Sequence, residues 1–87
     1  MLDDRDLPIS WIVQVASFEN LENAENLRKA LVEKGFPAYT QQVKTSKGRA
    51  VRLFVGPKLQ RSKAESIKQQ IDKEFKLDTM IKRFSDQ

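Results

Sequence analysis

The 87-residue sequence contains no cysteine and no histidine. Without cysteine there are no disulfide bonds and no thiolate nucleophiles, and without both residue types an ordinary zinc site lacks its ligands. The missing histidine also removes the side chain that most often serves as a general base near neutral pH. No Gly-rich phosphate loop and no paired nucleophile and base are present either. We therefore expect no enzyme, no metal and no cofactor.

Long apolar runs are also missing, since no stretch approaches the roughly 18 residues of a transmembrane helix. The first six residues are polar and acidic, unlike a signal peptide. Any membrane anchor would therefore lie outside this sequence. Residues 1–8 are charged and non-periodic, which indicates the end of a linker, and residues 9–87 are expected to form one small domain.

The charge is unevenly distributed along the chain, although the net value is only +4. Residues 34–63 hold eight basic residues and no carboxylate. Such a segment either attracts an anionic polymer or is a solvated surface without a partner, and charge alone leaves both readings open. The eight residues are Lys34, Lys44, Lys47, Arg49, Arg52, Lys58, Arg61 and Lys63.

Four strands and two helices are predicted from the spacing of apolar residues and from the capping, glycine and proline residues between them. The helices span about residues 21–34 and 63–75, the first capped by Asn20 and ended at Gly35, the second opened by a capping box from Ser62 to Glu65. The predicted strands are residues 9–18, 36–44, 50–55 and 78–84, with a turn at Gly48 and a stop at Gly56-Pro57.

The two halves of the chain repeat weakly at an offset of 40 residues. Leu27 matches Ile67 and Leu31 matches Ile71, so each half is a βαβ unit. Leu27 and Ile67 lie at the centres of the apolar stripes of their helices, so both are expected to be core residues. Two such units predict an α+β fold of order β-α-β-β-α-β, in which both helices cover one face of a four-stranded antiparallel sheet. The first and third strands are then central, and the second face of the sheet is open.

Strand alternation identifies a candidate binding surface on the open face. Gln14, Arg52 and Phe54 are predicted there, in register with Ile12 and Ala16, with Tyr39 nearby. Amide and guanidinium groups bind hydroxyls and anions, and aromatic rings pack on sugars or bases. Phe54 could instead be a core residue in another register, and Arg52 an ordinary solvated charge.

Two strand segments and two helix openings, in order, resemble the SPOR domain family over about residues 9–84. VQVASF at residues 13–18 is similar to the family's first-strand motif V-Q-[VL]-G-S-F, and RLFVGP at residues 52–57 is similar to R-V-x-V-G-P. Ala24 and Ala64 stand where the family's helices open. The third-strand segment and the spacing after it are most similar to a septal cell-division member of the family.

The resemblance implies a domain that binds peptidoglycan, preferring glycan strands without stem peptides and directing a larger protein to the division septum. Gln14, Ser17 and Arg52 match family positions at or near the glycan site. Strand alternation adds Phe54 and Tyr39 as the predicted apolar floor of that site. It further implies a periplasmic domain of an inner-membrane-anchored protein, with other division proteins as further partners. Neither nucleic acid nor a membrane contact by the domain itself is expected.

Two departures from the family pattern and one geometric difficulty accompany the resemblance. Ala16 replaces the usual Gly, and the last strand lacks the Trp or Tyr of some members. Gln14 and Ser17 differ by three positions, so a regular strand would direct them to opposite faces. A β-bulge or a strand end near Ala16 would bring them to one face. Otherwise Ser17 simply ends the strand.

Two other binding functions remain open. The same topology with a basic face describes an RNA-recognition module, although residues 49–56 lack the glycine and paired aromatics of its third-strand signature. A protein-interaction module that uses the sheet edge is the second alternative.

Overall fold

The computed structural model describes residues 9–84 and contains four strands and two helices in the predicted α+β order. The predicted linker end at residues 1–8 lies outside the described residues, as do residues 85–87. In chain order the elements are β1 (Ser10–Phe18), α1 (Leu21–Glu33), β2 (Ala38–Thr45), β3 (Gly48–Lys58), α2 (Arg61–Phe75) and β4 (Met80–Phe84).

The strands form one antiparallel sheet in the order β2-β3-β1-β4. The prediction that β1 and β3 are central is therefore confirmed, and the edges belong to β2 and β4. Because the central strands carry the two motif segments, VQVASF and RLFVGP lie side by side in the middle of the sheet.

The hydrophobic core lies between the sheet and both helices, and it follows the offset-40 repeat. Leu31 and Ile71 are fully buried, as are Ala24 and Ala64. Leu27 and Ile67, which the sequence placed at the centres of their stripes, are only partly buried and pack against this core. The fully buried helix positions therefore lie one turn before and one turn after Leu27 and Ile67, and both helices pack on the same face of the sheet.

The helix ends differ in how well they were predicted. The Asn20 side chain caps α1, accepting from the backbone N–H of Glu22 at 2.7 Å. The predicted capping box at Ser62 is wrong, because α2 begins at Arg61 and Ser62 lies inside its first turn. Extended Gln60 supplies the backbone cap, with its carbonyl accepting from the N–H groups of Lys63 and Ala64.

Gly56 and Pro57 do not end the third strand, contrary to prediction. β3 continues to Lys58, which pairs with Trp11, because the pairing register shifts between Trp11 and Val13 and accommodates one extra β3 residue. Gly56 has a φ of 123°, and its N–H donates to the carbonyl of Pro37, the residue before β2. Glycine is suited to this position, since a left-handed backbone strains other residues.

Candidate functional site

A β-bulge in β1 brings the two polar residues of VQVASF to the same face of the sheet. Gln14 pairs with Phe54 and Ala16 with Leu53, so β1 advances two residues while β3 advances one. Ser17 then pairs with Arg52, which places it on the open face beside Gln14. The bulge considered in the sequence is present, and it resolves the three-residue spacing.

The same bulge corrects the predicted position of Ala16. It was expected on the open face with Gln14, but it packs against the core on the helix-covered face. Among the described non-glycine residues, only Lys76 has a positive φ, so the backbone at Ala16 is one that L-residues adopt. The alanine in place of the family's glycine therefore does not prevent the bulge.

A transverse row of side chains crosses the open face and contains three of the predicted site residues. Tyr39 pairs with Phe54, Phe54 with Gln14, and Gln14 with Met80. The rings of Tyr39 and Phe54 are 5.6 Å apart between centroids and tilted by 33°. Burial raises the pKa of the Tyr39 hydroxyl from its ordinary 10.0, a value at which the group already carries its proton at neutral pH and can donate.

Phe54 lies on the predicted face but is covered rather than exposed. Only 8% of its surface is accessible, although it lies outside the core between sheet and helices. Ile12, also in open-face register, is 4% exposed. The expected open platform of aromatic rings is therefore a closed apolar floor, on which the half-buried Tyr39 presents the more accessible ring.

A shallow cleft of about 410 Å³ lies above this floor. Four of the five predicted site residues line it, whereas Ser17 is on the same face but outside the lining. The lining residues are Ile12, Gln14, Tyr39, Thr40, Gln41, Arg52, Phe54, Lys82, Arg83 and Phe84.

The amide oxygen of Gln14 is the least satisfied group in the cleft. Gln14 Oε1 is buried, and no donor among residues 9–84 reaches it. A buried acceptor without a partner costs about 1–3 kcal/mol, which a hydroxyl or amide donor from a ligand would offset. Gln14 therefore holds, at the centre of the sheet, an acceptor that no described residue uses.

Lys82 is a cleft residue that the sequence analysis missed. It pairs with Ile12 on the neighbouring strand, and alternation along β4 places it on the open face with Met80 and Phe84. The alternating pattern of β4 could have indicated this orientation, but only with the register to β1 known. The final strand thus contributes a cation to the cleft lining.

The basic middle of the chain does not form one continuous patch. Arg52 faces the cleft, whereas Lys44 and Arg49 pair with each other in the register of buried Val51, on the opposite face of the hairpin. Lys34 instead forms an ion pair with Glu74 at 2.8 Å. The eight basic residues therefore lie on several sides of the domain. Of the eight, Arg52 is the one that lines the cleft.

Residues 9–84 contain no group of three or more potential metal-ligating side chains. Neither α1 nor α2 has the length and apolar character needed to cross a membrane. The cleft lining offers amide, hydroxyl, cationic and apolar groups, which suit binding of a polar ligand.

Comparisons with known proteins agree with this architecture. The family model described as SPOR domain matches residues 7–83. A similar solved structure is the peptidoglycan-binding domain of the B. subtilis cell wall lytic enzyme CwlC, which has 19% sequence identity and a TM-score of 0.71. The alignment covers 97% of this chain and all of that domain. No curated protein matches the sequence significantly. Because the family model spans most of its length, the chain belongs to the SPOR domain family.

Proposed function

We propose that this domain is a non-catalytic module that binds the glycan strands of peptidoglycan in the open-face cleft. The carrying observation is the unpartnered Oε1 of Gln14, which lies in one cleft with the Arg52 guanidinium above an apolar floor. Sugar hydroxyls and acetamido N–H groups can donate to such an oxygen. Membership of the SPOR family and the fold shared with a peptidoglycan-binding domain support the same ligand.

The finer proposal is that the domain prefers strands from which the stem peptides have been removed. A shallow groove accommodates a bare sugar chain more readily than one that carries a peptide on every second sugar. The family resemblance supports this preference, and also supports a periplasmic domain that directs a larger protein to the division septum, where other division proteins are candidate partners.

The cleft fits RNA less well than glycan. An RNA-recognition sheet stacks bases on exposed aromatic rings of its central strands. Here the central β1 position is Gln14, and the β3 ring, Phe54, is only 8% exposed. Neither central residue offers an aromatic face for a base.

The experiment is co-sedimentation of the purified domain with purified peptidoglycan sacculi, before and after treatment with an amidase that removes stem peptides. We expect the domain to pellet with sacculi and the bound fraction to rise after treatment. A domain that stays in the supernatant in both cases would contradict peptidoglycan binding. Equal binding to both preparations would contradict only the preference for bare strands.

A further inference from the structure

The two edges of the sheet differ in how the neighbouring helix meets them. On the β2 side, Glu25 of α1 accepts a hydrogen bond from the Thr40 hydroxyl at 3.2 Å, which ties the helix to the edge strand. Glu65 is the equivalent residue of α2 at the offset of 40, but it pairs with Arg61 of its own helix at 3.2 Å. Within the described residues Glu65 makes no such tie to β4, and a groove of about 540 Å³ lies between α2 and β4.

A buried hydroxyl lines this groove. Thr79 is only 4% exposed, and no group among residues 9–84 forms a hydrogen bond with its Oγ1. The Thr79 backbone N–H is already used, because it donates to Asp72. A buried hydroxyl that has lost water without gaining a partner is unfavourable, and a peptide group placed in the groove can donate to it or accept from it. Thr79 therefore gives the groove a polar group suited to a backbone ligand.

The groove runs beside a free strand edge. Among the described strands β4 pairs with β1 alone, so its second edge presents backbone N–H and C=O groups to solvent. Met80, Lys82 and Arg83 are exposed along this strand, and Met80 is an exposed large hydrophobic residue at 54%. An extended peptide can hydrogen-bond to such an edge as a further strand, and alternate side chains of that peptide then face the groove.

Charge decides which strand can join this edge. The four strands carry six basic residues and no acidic residue, and two of the six, Lys82 and Arg83, are on β4. No carboxylate of residues 9–84 forms an ion pair with either, whereas the two acids that line the groove, Glu65 and Asp78, each lie beside a cation of α2. Because no strand of a second copy carries an acidic residue, a second copy would place like charges opposite each other, which is destabilising. An acidic strand is therefore favoured over a second copy.

We propose that the β4 edge and the groove beside it bind an extended acidic segment of a partner protein by strand addition. Residues opposite Met80 and Ile81 are apolar, because Met80 is exposed and Ile81 packs against the core. Residues opposite Lys82 and Arg83 are acidic, which pairs both cations. The segment therefore has two apolar and two acidic residues in succession. The inference does not rest on glycan binding, although β4 also borders the cleft.

The probe is a capped synthetic peptide, Thr-Glu-Glu-Val-Val-Thr, which presents its acidic residues to Lys82 and Arg83 in an antiparallel addition. Its reverse, Thr-Val-Val-Glu-Glu-Thr, does so in a parallel addition. In NMR titrations of the isotope-labelled domain, we expect one of them to shift the backbone amide signals of Met80–Phe84 and of the groove side of α2. It should bind about tenfold or more tightly than the same peptide with lysine in place of glutamate, and this advantage should fall as salt rises.

A second measurement separates strand addition from a simple attraction of charges. Methylation of alternate peptide nitrogens should abolish binding in one phase and not in the other, because only every second N–H of an added strand faces β4. Loss of binding in neither phase would contradict strand addition.

Charge reversal on the domain gives the complementary test. Lys82→Glu with Arg83→Glu should exchange the preference, so that the lysine peptide binds more tightly. The matched control, Lys44→Glu with Arg49→Glu, makes the same change on the β2–β3 hairpin and should leave the preference unchanged.

Three results would overturn the inference. One is equal binding, or no binding, of the acidic and lysine peptides by the unmodified domain. Another is a set of shifts confined to β2 or to the open face. The third is a concentration-dependent shift of β4 signals in the domain alone, which would identify a second copy as the occupant. All three use the unmodified domain, so they decide the question even if the Lys82 and Arg83 variant unfolds.

Discussion

The two faces of the sheet are built from the same strands but have different chemistry. On the covered face, Val13, Leu53 and Val55 are at most 1% exposed and pack on the helices. On the open face, two buried apolar residues, Ile12 and Phe54, are surrounded by amide, hydroxyl and cationic groups. Within a single strand, alternate residues therefore either pack in the core or face the cleft. The β1 bulge changes this alternation, so that Ala16 packs on the core and Ser17 faces the open side.

The two layers also differ in how their charges are neutralised. Helix charges pair mostly within their own helix, as in Arg28 with Glu25 and Arg61 with Glu65. The strand cations have no acidic neighbours on the strands to pair with. The helix layer is therefore nearly neutral, and the excess positive charge lies on the sheet, where it can attract an anionic ligand.

The largest expected effect lies on the covered face. Leu31→Ala or Ile71→Ala should lower the free energy of unfolding by about 2–5 kcal/mol, because each removes a fully buried side chain and leaves a cavity. Leu27→Ala and Ile67→Ala should cost less, since those side chains are partly exposed. Urea or guanidinium titration measures each difference.

Val32→Ala is the control for this pair, because Val32 is on α1 but 48% exposed and should change stability little. If Leu31→Ala destabilised the domain no more than Val32→Ala, the covered face would not be the source of stability.

The second effect concerns binding on the open face. Gln14→Ala with Arg52→Ala should weaken binding to amidase-treated sacculi roughly 30-fold or more, since it removes one neutral and one charged hydrogen-bonding group. The thermal midpoint should change little, because neither side chain belongs to the core between sheet and helices. Sedimentation and thermal unfolding measure the two properties separately.

The matched control replaces the same residue types outside the cleft. Gln42→Ala with Arg49→Ala alters exposed residues of the opposite hairpin face and should leave binding near that of the parent. A Gln14 and Arg52 variant that binds as well as the parent would contradict the site. A variant that unfolds would assign both side chains to the scaffold instead.

Sequence alone predicted the element order, the central strands and the helix-covered face, because these depend on periodicity and on a repeat that the whole core follows. It placed Leu27 and Ile67 too deep, since a stripe gives the direction of a helix face but not which of its residues lies deepest against the sheet. Ser62 and Pro57 were misread as boundaries because local signals were overridden by the backbone cap at Gln60 and the β3 register shift.

The sequence predicted which face of the sheet each candidate site residue lies on, because that follows from alternation along one strand. It did not predict the properties that depend on how neighbouring strands pair. Gln14, Arg52 and Phe54 occupy the expected face, and Tyr39 pairs with Phe54. The near-complete burial of Phe54 and the presence of Lys82 follow from neighbours on other strands, which a single sequence does not specify.

The smallest expected effect tests a polar contact on the covered side. Asp72 on α2 accepts from the Thr79 backbone N–H at 2.7 Å and from Lys68 Nζ at 2.6 Å, which ties the start of β4 to the helix. Burial opposes the charged carboxylate, but these hydrogen bonds outweigh it, and the pKa of Asp72 is lowered from its ordinary 3.8.

Asp72→Asn keeps an acceptor for Thr79 but removes the charge, so it should lower the free energy of unfolding by about 0.5–1 kcal/mol at pH 7. Because the folded pKa is depressed, the stabilisation by Asp72 is complete above pH 3.8 and is lost as pH falls through the lower folded value. The difference between parent and variant should therefore disappear at the acid end of a pH series of denaturant titrations.

Asp78→Asn is the control, since Asp78 is fully exposed and its carboxylate is 3.7 Å from Lys68. A difference that persisted unchanged into acid would show that Asp72 acts through its shape and not its charge.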